Sequence, residues 1–318
     1  MQVQKEIGGY LGLESFGGKE LYGDLIAVNS ARHALLYVLR ARRVRKLYIP
    51  YFLCDSVSGI CAREGVPFEY YHIDKNLRPV FEKTLGEGEY LYIVNYYGQI
   101  GDEELKALVA RFGAVIFDNV QAFFARPVAG VDTVYSCRKF FGVPDGGYVA
   151  TDARLEEPLP VDVSMHRMKH VLGRFEGVSA SDYYEDFKTH EHTFADAELY
   201  AMSRLTHNLL RAVDYEGVKR RREENYAVLE KLLGARNALS LKAPEGPYAY
   251  PFYTVNGMEI KKKLAQQKIF VPTLWPDVPE GDTALEKDLA ANILPLPCDQ
   301  RYDAQDMAYM ASALTSLL

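Results

Sequence analysis

Two residues, Lys139 and Asp118, have the types and the spacing to carry chemistry together. Asp118 ends the apolar run "AVIFD", and Lys139 follows the run "DTVYSC". An ionised carboxylate at a buried strand end is costly unless it meets a cation or several hydrogen-bond donors. A carboxylate can hold a protonated ring nitrogen, and a lysine can form a Schiff base with an aldehyde. If the two strands are parallel neighbours, both side chains lie at one rim of the sheet.

That pair of groups is what an enzyme dependent on pyridoxal 5'-phosphate (PLP) requires. The lysine bonds to the aldehyde, and the carboxylate keeps the pyridine ring protonated as an electron sink. After Lys139, Gly142, Gly146 and Gly147 would let the backbone pass close to a flat cofactor. Two simpler interpretations stay open: Asp118 as the N-cap of a helix formed by "VQAFF", and Lys139 as a solvated lysine in a turn.

A seat for a phosphate is predicted at the start of the segment "VNSARHALLYVL". Free N–H groups near Ser30, Ala31 and Arg32 would face an anion with the helix dipole behind them. The hydroxyl of Ser136 could complete this seat. Ordinary helix capping by "NS" explains the same residues equally well.

Composition limits the partners of the protein. The 318 residues carry a net charge of -6 with acidic and basic residues interleaved, so we expect no nucleic-acid partner. The start "MQVQKEIGGYLGLESFGG" has no pattern of a secretion signal, and no segment is long and apolar enough to span a bilayer. We therefore expect a cytoplasmic protein, with free thiols and no membrane partner. No metal site is expected, because "HEH" at 190–192 reads as a polar surface loop.

The first half of the chain alternates apolar runs with amphipathic segments, which predicts an α/β fold with a mostly parallel central sheet between helices. The predicted strands are Lys46–Pro50, Phe68–Ile73, Tyr90–Asn95, Ala114–Asn119 and Asp132–Cys137. Ligands of such sheets sit beyond the carboxyl ends of the strands.

From Asp182 onward the pattern changes to longer helices, which include the segments "DYYEDFKTHEHTF", "AELYAMSRLTHNLLRAV" and "YEGVKRRREENYAVLEKLLG". A smaller α+β unit then follows, read as strand, helix, strand, helix in the segments "YAYPFYTV", "MEIKKKLAQQKI", "FVPTLW" and "AQDMAYMASALTSLL". We divide the chain into a large cofactor-binding domain, 1–215, and a small α+β domain, 216–318.

Nearly the whole chain resembles, in order, the DegT/DnrJ/StrS family of PLP-dependent aminotransferases. The segments that carry the resemblance are "VNSARHALLYVL", "LYIPYFLCDSVSGICAREGVPFEYYHID", "IVNYYGQIGDEELKALVARFGAVIFDNVQAF" and "SCRKFFGVPDGGYVAT". The gap between Lys139 and the Gly146–Gly147 pair matches the family. The resemblance implies the aspartate-aminotransferase-like fold, known as PLP fold type I, and a homodimer.

The resemblance also assigns roles within the site. Lys139 would form the Schiff base, Asp118 would pair with the ring nitrogen, and Gln121 would lie beside the ring hydroxyl. The phosphate would be held by Ser136 and the amides of Ala31 and Arg32. Phe52 would stack on the ring, although the alignment also allows Cys54.

The implied reaction moves an amino group from an amino acid, glutamate by family habit, to a small-molecule keto acceptor. Many family members act on nucleotide-linked keto sugars, in cell-surface polysaccharide or secondary-metabolite synthesis. Three departures weaken the substrate assignment: Ser136 lies close to Lys139, Asp145 replaces a glutamate, and Met202 stands where many members have an asparagine that reaches the partner subunit's phosphate. The alternative is a catalytically silent or regulatory binding protein with the same fold. A dehydratase is disfavoured because Lys139 is present.

Overall fold

The computed structural model describes residues 7–177 and 179–318. Residues 1–6, which begin the segment predicted to lack a secretion signal, lie outside the described residues, as does Val178. Within the described ranges, no helix is long and apolar enough to cross a membrane.

Strands and helices alternate through the first half of the chain, as its pattern of apolar runs predicts. The strands are β1 (Ile26–Val28), β2 (Lys46–Pro50), β3 (Phe68–Ile73), β4 (Pro79–Val80), β5 (Glu89–Val94), β6 (Val115–Asp118), β7 (Asp132–Ser136), β8 (Gly147–Ala150), β9 (Ala249–Tyr253) and β10 (Ile293–Pro297). The α-helices are α1 (Ala31–Ala41), α2 (Asp55–Glu64), α3 (Asp102–Phe112), α4 (Lys169–Phe175), α5 (Tyr184–Thr193), α6 (Arg204–Leu210), α7 (Tyr215–Leu233), α8 (Gly257–Gln266), α9 (Ala284–Asn292) and α10 (Ala304–Thr315).

The central sheet has eight strands in the order β1-β8-β7-β6-β5-β2-β3-β4. Pairing is parallel from β3 through β2, β5 and β6 to β7. The outer pairs, β7 with β8, β8 with β1 and β3 with β4, are antiparallel. The predicted α/β class with a mostly parallel central sheet is confirmed. Because β6 and β7 are parallel neighbours, their carboxyl ends meet at one rim.

A second sheet consists of β9 and β10, which pair antiparallel. The prediction of a strand at "FVPTLW" (270–275) is wrong, because that segment is irregular and the partner of β9 is β10. Two prolines, Pro295 and Pro297, hid β10 from the sequence analysis. Proline donates no ladder hydrogen bond, yet it is tolerated in an edge strand, and a two-stranded sheet has only edges.

The segment 197–213, predicted to be one helix, is helical only from Arg204 to Leu210. Its first part is extended along β1, where Tyr200 accepts a hydrogen bond from Asn29 N and Met202 donates one to Ala27 O. Ser203 then caps α6 by accepting a hydrogen bond from Thr206 N. Pairing with the exposed edge of β1 outweighs the helical propensity of "AELYAM".

Separate cores lie beneath the two sheets. One packs α1, α2 and α3 against the strands of the large sheet. Another is formed by residues from Tyr226 onward, including Leu229, Tyr250, Phe252 and Leu294. The division at residues 215 and 216 stays a prediction.

Candidate active site

Asp118 is the last residue of β6, and it is buried with 7% of its surface exposed. One carboxylate oxygen accepts a hydrogen bond from the Tyr92 hydroxyl (2.7 Å), and the other accepts one from the Val120 amide (2.8 Å). No described lysine or arginine lies within ion-pair distance of it. Burial raises the pKa of Asp118, while the two hydrogen bonds and the charge of Lys139 oppose that rise.

No helix follows Asp118, so it does not cap one as the simpler interpretation proposed. Residues 119–125 form turns, and the bond from Asp118 to Val120 N belongs to the first of them. The carboxylate is therefore held at the rim with unused acceptor capacity on both oxygens, since each accepts one hydrogen bond from the protein.

Lys139 follows β7, the strand next to β6. Its side chain is exposed, and its ammonium lies 5.5 Å from the centre of the Tyr248 ring. The residue lines a cleft of about 760 Å³, whose walls also include Ser136, His170 and Phe175. Lys139 lowers the pKa of Asp118 through its charge, so the two groups lie within electrostatic reach of each other.

Gln121 lies in the turn just beyond Asp118, and its side chain is also buried. Its oxygen accepts a hydrogen bond from the Tyr97 amide at 3.0 Å. Its side-chain nitrogen, Nε2, is buried and has no hydrogen-bond partner among the residues that the structure describes. Leaving a buried donor unpaired costs about 1–3 kcal/mol. This nitrogen is thus available to an acceptor atom of a ligand.

The predicted phosphate residues also meet in the structure. Ser136 at the end of β7 pairs with Gly147 of β8. A Cβ on Gly147 would lie 2.6 Å from the carbonyl carbon of Ser30 and 2.8 Å from the amide nitrogen of Ala31, so only glycine permits this approach. Ala31 and Arg32 form the first turn of α1, where amides have no intrahelical acceptor.

Ser30 is the N-cap of α1 and is tied to His33. Because the carbonyl of Ala197 can only accept, His33 Nε2 donates to it at 2.9 Å, and Nδ1 of the neutral ring accepts from the Ser30 hydroxyl at 2.8 Å. Burial lowers the pKa of His33 to about 4. The ring is therefore neutral at physiological pH.

The two candidates for the ring-stacking residue differ in their surroundings. Phe52 is 1% exposed, and its ring packs face to face with Tyr96 (centroids 5.4 Å apart) and edge to face with Trp275 (4.6 Å). Cys54 is exposed, precedes α2, and donates through its thiol to Asp55. The carboxylate of Asp55 acts electrostatically on the Arg32 guanidinium, so this corner adjoins the start of α1.

The residues that depart from the family pattern have structural partners in this chain. Asp145, in front of the glycine pair, is fully buried and accepts hydrogen bonds from Ser203 N and Oγ and from the Thr206 hydroxyl. Met202 is buried in an aromatic cluster beside the lysine segment.

The interpretation of "HEH" as a surface loop is wrong. It forms the end of α5, where His190 is buried and donates to Pro144 O. No group of three or more His, Cys, Asp or Glu within 7–177 and 179–318 could hold a metal ion.

Sequence reasoning missed residues that shape the site from outside the strand ends. Tyr92 is one of them. Val94 of β5 is the register partner of Asp118, and residues two positions apart in a strand face the same side of the sheet. The alternation of β5 could therefore have indicated that Tyr92 lies on the same face as Val94. Tyr248, Trp275 and Arg222 come from distant segments, and no local pattern indicates them.

The architecture matches solved structures of aminotransferases. An aminotransferase of the DegT DnrJ EryC1 StrS type from Brucella abortus superposes with a TM-score of 0.62 at 14% identity, over 92% of this chain and 85% of that one. DesV of S. venezuelae, solved in complex with a ketimine intermediate, gives a TM-score of 0.62 at 16% identity, over 96% and 90%. Spr1654 from Streptococcus pneumoniae, solved in a PLP form, gives 0.61 at 14% identity, over 94% and 89%.

The fold is that of these aminotransferases. No family model matches the chain, and no curated protein matches it. In the aminotransferase fold seen here, Asp118 ends β6 with Gln121 in the turn beyond it, Ser136 ends β7 with Lys139 in the segment beyond it, and Ala31 and Arg32 begin α1. Of these predicted site residues, Ser136 and Lys139 line the cleft.

Proposed function

We propose that this protein is a PLP-dependent aminotransferase of the DegT/DnrJ/StrS type. The observation that carries the proposal is the placement of Asp118 and Lys139 at or just beyond the ends of two parallel neighbouring strands. Gln121 lies three positions beyond Asp118, and its buried side-chain nitrogen has no hydrogen-bond partner among the described residues. The fold agrees with it, since the aminotransferases named above share the same architecture.

The donors and acceptors around the rim fit PLP group by group. Asp118 has acceptor capacity for a protonated ring nitrogen, and Gln121 Nε2 has a hydrogen bond to give to a ring hydroxyl. Gly147 packs directly against the backbone of Ser30 and Ala31, which brings the start of α1 next to the end of β7, where Ser136 pairs with Gly147. Amides at a helix start favour a phosphate.

When bound, PLP would supply an electron sink that allows the bond between an amino group's carbon and its hydrogen to break. Lys139 would hold the cofactor covalently at its Nζ. Once displaced by an amino donor, its free amine would take the proton from the α-carbon of that donor and deliver it to the carbon of the cofactor that had carried the aldehyde. Asp118 would keep a positive charge on the ring by its own negative charge. Burial of Asp118 excludes water and strengthens that interaction.

Charges in the cleft favour anionic substrates. Basic side chains (Arg138, Lys139, Arg174, Arg222, Arg301) outnumber acidic ones (Glu191, Asp299) along its walls. A surplus of one sign in a cleft concentrates ligands of the opposite sign. This supports an amino acid donor such as glutamate and a keto acceptor that carries negative charge, such as a nucleotide-linked keto sugar.

A homodimer is also part of the proposal. Large apolar side chains are exposed along the first described segment, among them Ile7, Tyr10 and Leu11, and others, including Leu172 and Phe175, lie on α4 beside the cleft. Exposed apolar side chains that cluster along a segment or a helix support an interaction surface. We also propose a cytoplasmic location.

The proposal is tested by the visible spectrum of the purified protein with added PLP, before and after glutamate. We expect a yellow band that glutamate removes, and its loss in Lys139→Ala. Lys169→Ala is the matched control, because Lys169 is an exposed lysine of α4 near the same cleft and pairs with Asp186. A protein that ignores PLP would overturn the proposal, whereas a yellow protein unchanged by glutamate would be a cofactor-binding protein that does not transaminate.

A further inference from the structure

Arg222 is a buried charge that the proposed chemistry leaves unexplained. It lies in the middle of α7 with 1% of its surface exposed. No carboxylate of the described residues lies within ion-pair distance of its guanidinium. A buried guanidinium without an ion pair is costly, so its donors must all find strong acceptors. Those acceptors identify what the residue holds in place.

The acceptors of Arg222 are neutral oxygens on the two sides of Lys139. Its Nη2 donates to the carbonyl of Phe140 at 3.3 Å, and Phe140 directly follows Lys139. Its Nη1 donates to the carbonyls of Pro247 at 2.9 Å and Tyr248 at 3.4 Å. Tyr248 carries the ring beneath the Lys139 ammonium. One planar side chain therefore spans the backbone of the lysine segment and the backbone of the residue that the lysine rests on.

Gln300 completes the arrangement. Its oxygen accepts a hydrogen bond from Arg222 Nε at 2.8 Å, and its nitrogen donates to the same Phe140 carbonyl at 2.8 Å. The guanidinium also lies 4.6 Å from the centre of the Phe140 ring. Phe140 is thus held at its carbonyl by two donors and at its ring by a cation, while its own amide bonds to Cys137 O.

We propose that Arg222, acting with Gln300, is a positioning residue that fixes Lys139 against Tyr248 in the cleft. The inference rests on the proposed function, in which Lys139 bonds to the cofactor. It also links the segment 298–301 to the lysine, because Gln300 lies between Asp299 and Arg301, which line the same cleft and form an ion pair with each other.

Geometry explains why arginine is needed. Phe140 and Pro247 belong to different segments, and only a planar group with several donors in fixed directions can bond to both at once. A lysine at position 222 would keep the charge but bond to one of them at a time. Lys139 would then sample more orientations, and displacements of about 1 Å in a reacting group can cost about a hundredfold in rate.

The test measures how fast the covalent link between Lys139 and added PLP forms, by stopped-flow absorbance, together with the pH midpoint of the visible band and the melting temperature. The variants are Arg222→Lys, Gln300→Met and the double variant. Arg221→Lys is the matched control. Arg221 is the residue next to Arg222 in α7, but its side chain is about half exposed and lies 3.9 Å from Glu224.

We expect Arg222→Lys and Gln300→Met each to slow link formation about tenfold or more and to shift the pH midpoint, with Arg221→Lys within twofold of wild type. The double variant should be no slower than the slower single variant, since both changes break one shared bridge. If Arg222→Lys does not fold, Gln300→Met decides alone.

Folded variants that lose thermal stability yet keep the wild-type rate and pH midpoint would overturn the inference, as Arg222 would then serve only to join the two parts of the chain. The inference would also be overturned if the double variant slowed link formation by the product of the two single-variant factors. A wild-type protein that forms no covalent link with PLP would instead refute the proposed function, and the inference with it.

Discussion

Replacing Asp118 with asparagine separates a catalytic carboxylate from a structural one. Asparagine keeps the shape and one acceptor oxygen but removes the charge. Asp118 is buried, is raised in pKa by that burial, and meets only neutral donors in Tyr92 and Val120. Its charge therefore costs the cofactor-free protein stability at neutral pH, a cost that the charge of Lys139 offsets only in part and that a protonated ring nitrogen in the site would offset further.

The magnitude follows from the electrostatics of the rim. Two opposite charges about 4 Å apart attract by about 4 kcal/mol at an effective dielectric of 20. Loss of one preorganised charge-stabilising group typically costs about 10²–10³ in rate. We therefore expect Asp118→Asn to lower the rate of the glutamate half-reaction by about 10²–10³, and to leave the cofactor-free protein as stable as wild type or more so.

The assay is single-turnover reaction of the PLP-loaded protein with glutamate, followed in the visible band, beside thermal unfolding of the cofactor-free protein. Tyr92→Phe is the control, because it removes one donor and keeps the charge. Its effect on rate should be much smaller. A rate for Asp118→Asn within threefold of wild type, or a melting temperature several degrees lower, would refute the reasoning and make Asp118 a structural residue.

Three further outcomes are expected. Gln121→Met should weaken PLP binding by about tenfold, the value of one buried hydrogen bond, and titration with an analogue that lacks the ring hydroxyl should show no difference from wild type. Gly147→Ala should displace Ser30, because the new Cβ would lie 2.6 Å from the carbonyl carbon of Ser30. Because Ser30 belongs to the predicted phosphate site, the variant should lose more affinity for PLP than for pyridoxal, which has no phosphate. Burial lowers the pKa of His33 to about 4 and of His190 to about 3, so unfolding exposes groups that bind protons more readily and stability should fall as the pH drops below 6.5. The lowered pKa of His33 alone corresponds to about 3 kcal/mol of unfolding free energy at full effect. The melting temperature of His33→Gln should therefore fall less steeply with pH than that of the wild type. A wild-type melting temperature that does not change between pH 7 and pH 4 would contradict this prediction.

The sequence by itself determined the parallel part of the central sheet, which consists of β2, β3, β5, β6 and β7. Strands such as Lys46–Pro50 and Phe68–Ile73 occur where the apolar runs predict them, because a parallel sheet buried on both faces leaves uninterrupted apolar segments. The sequence placed Asp118 and Lys139 at the ends of two strands, and the structure shows that these strands are parallel neighbours and so end on the same side of the sheet. The roles assigned to these residues stay predictions until they are measured.

Only the tertiary structure decided the rest, wherever a contact between distant segments outweighs local preference. The segment 197–203 is extended because the edge of β1 offers it partners, and β10 forms despite its prolines because β9 lies alongside. The hydrogen bonds from Arg222 to Phe140 and from Gln300 to Phe140 span 82 and 160 residues of sequence. No local pattern encodes such a contact, since a buried guanidinium is stable only where folding brings enough acceptors around it.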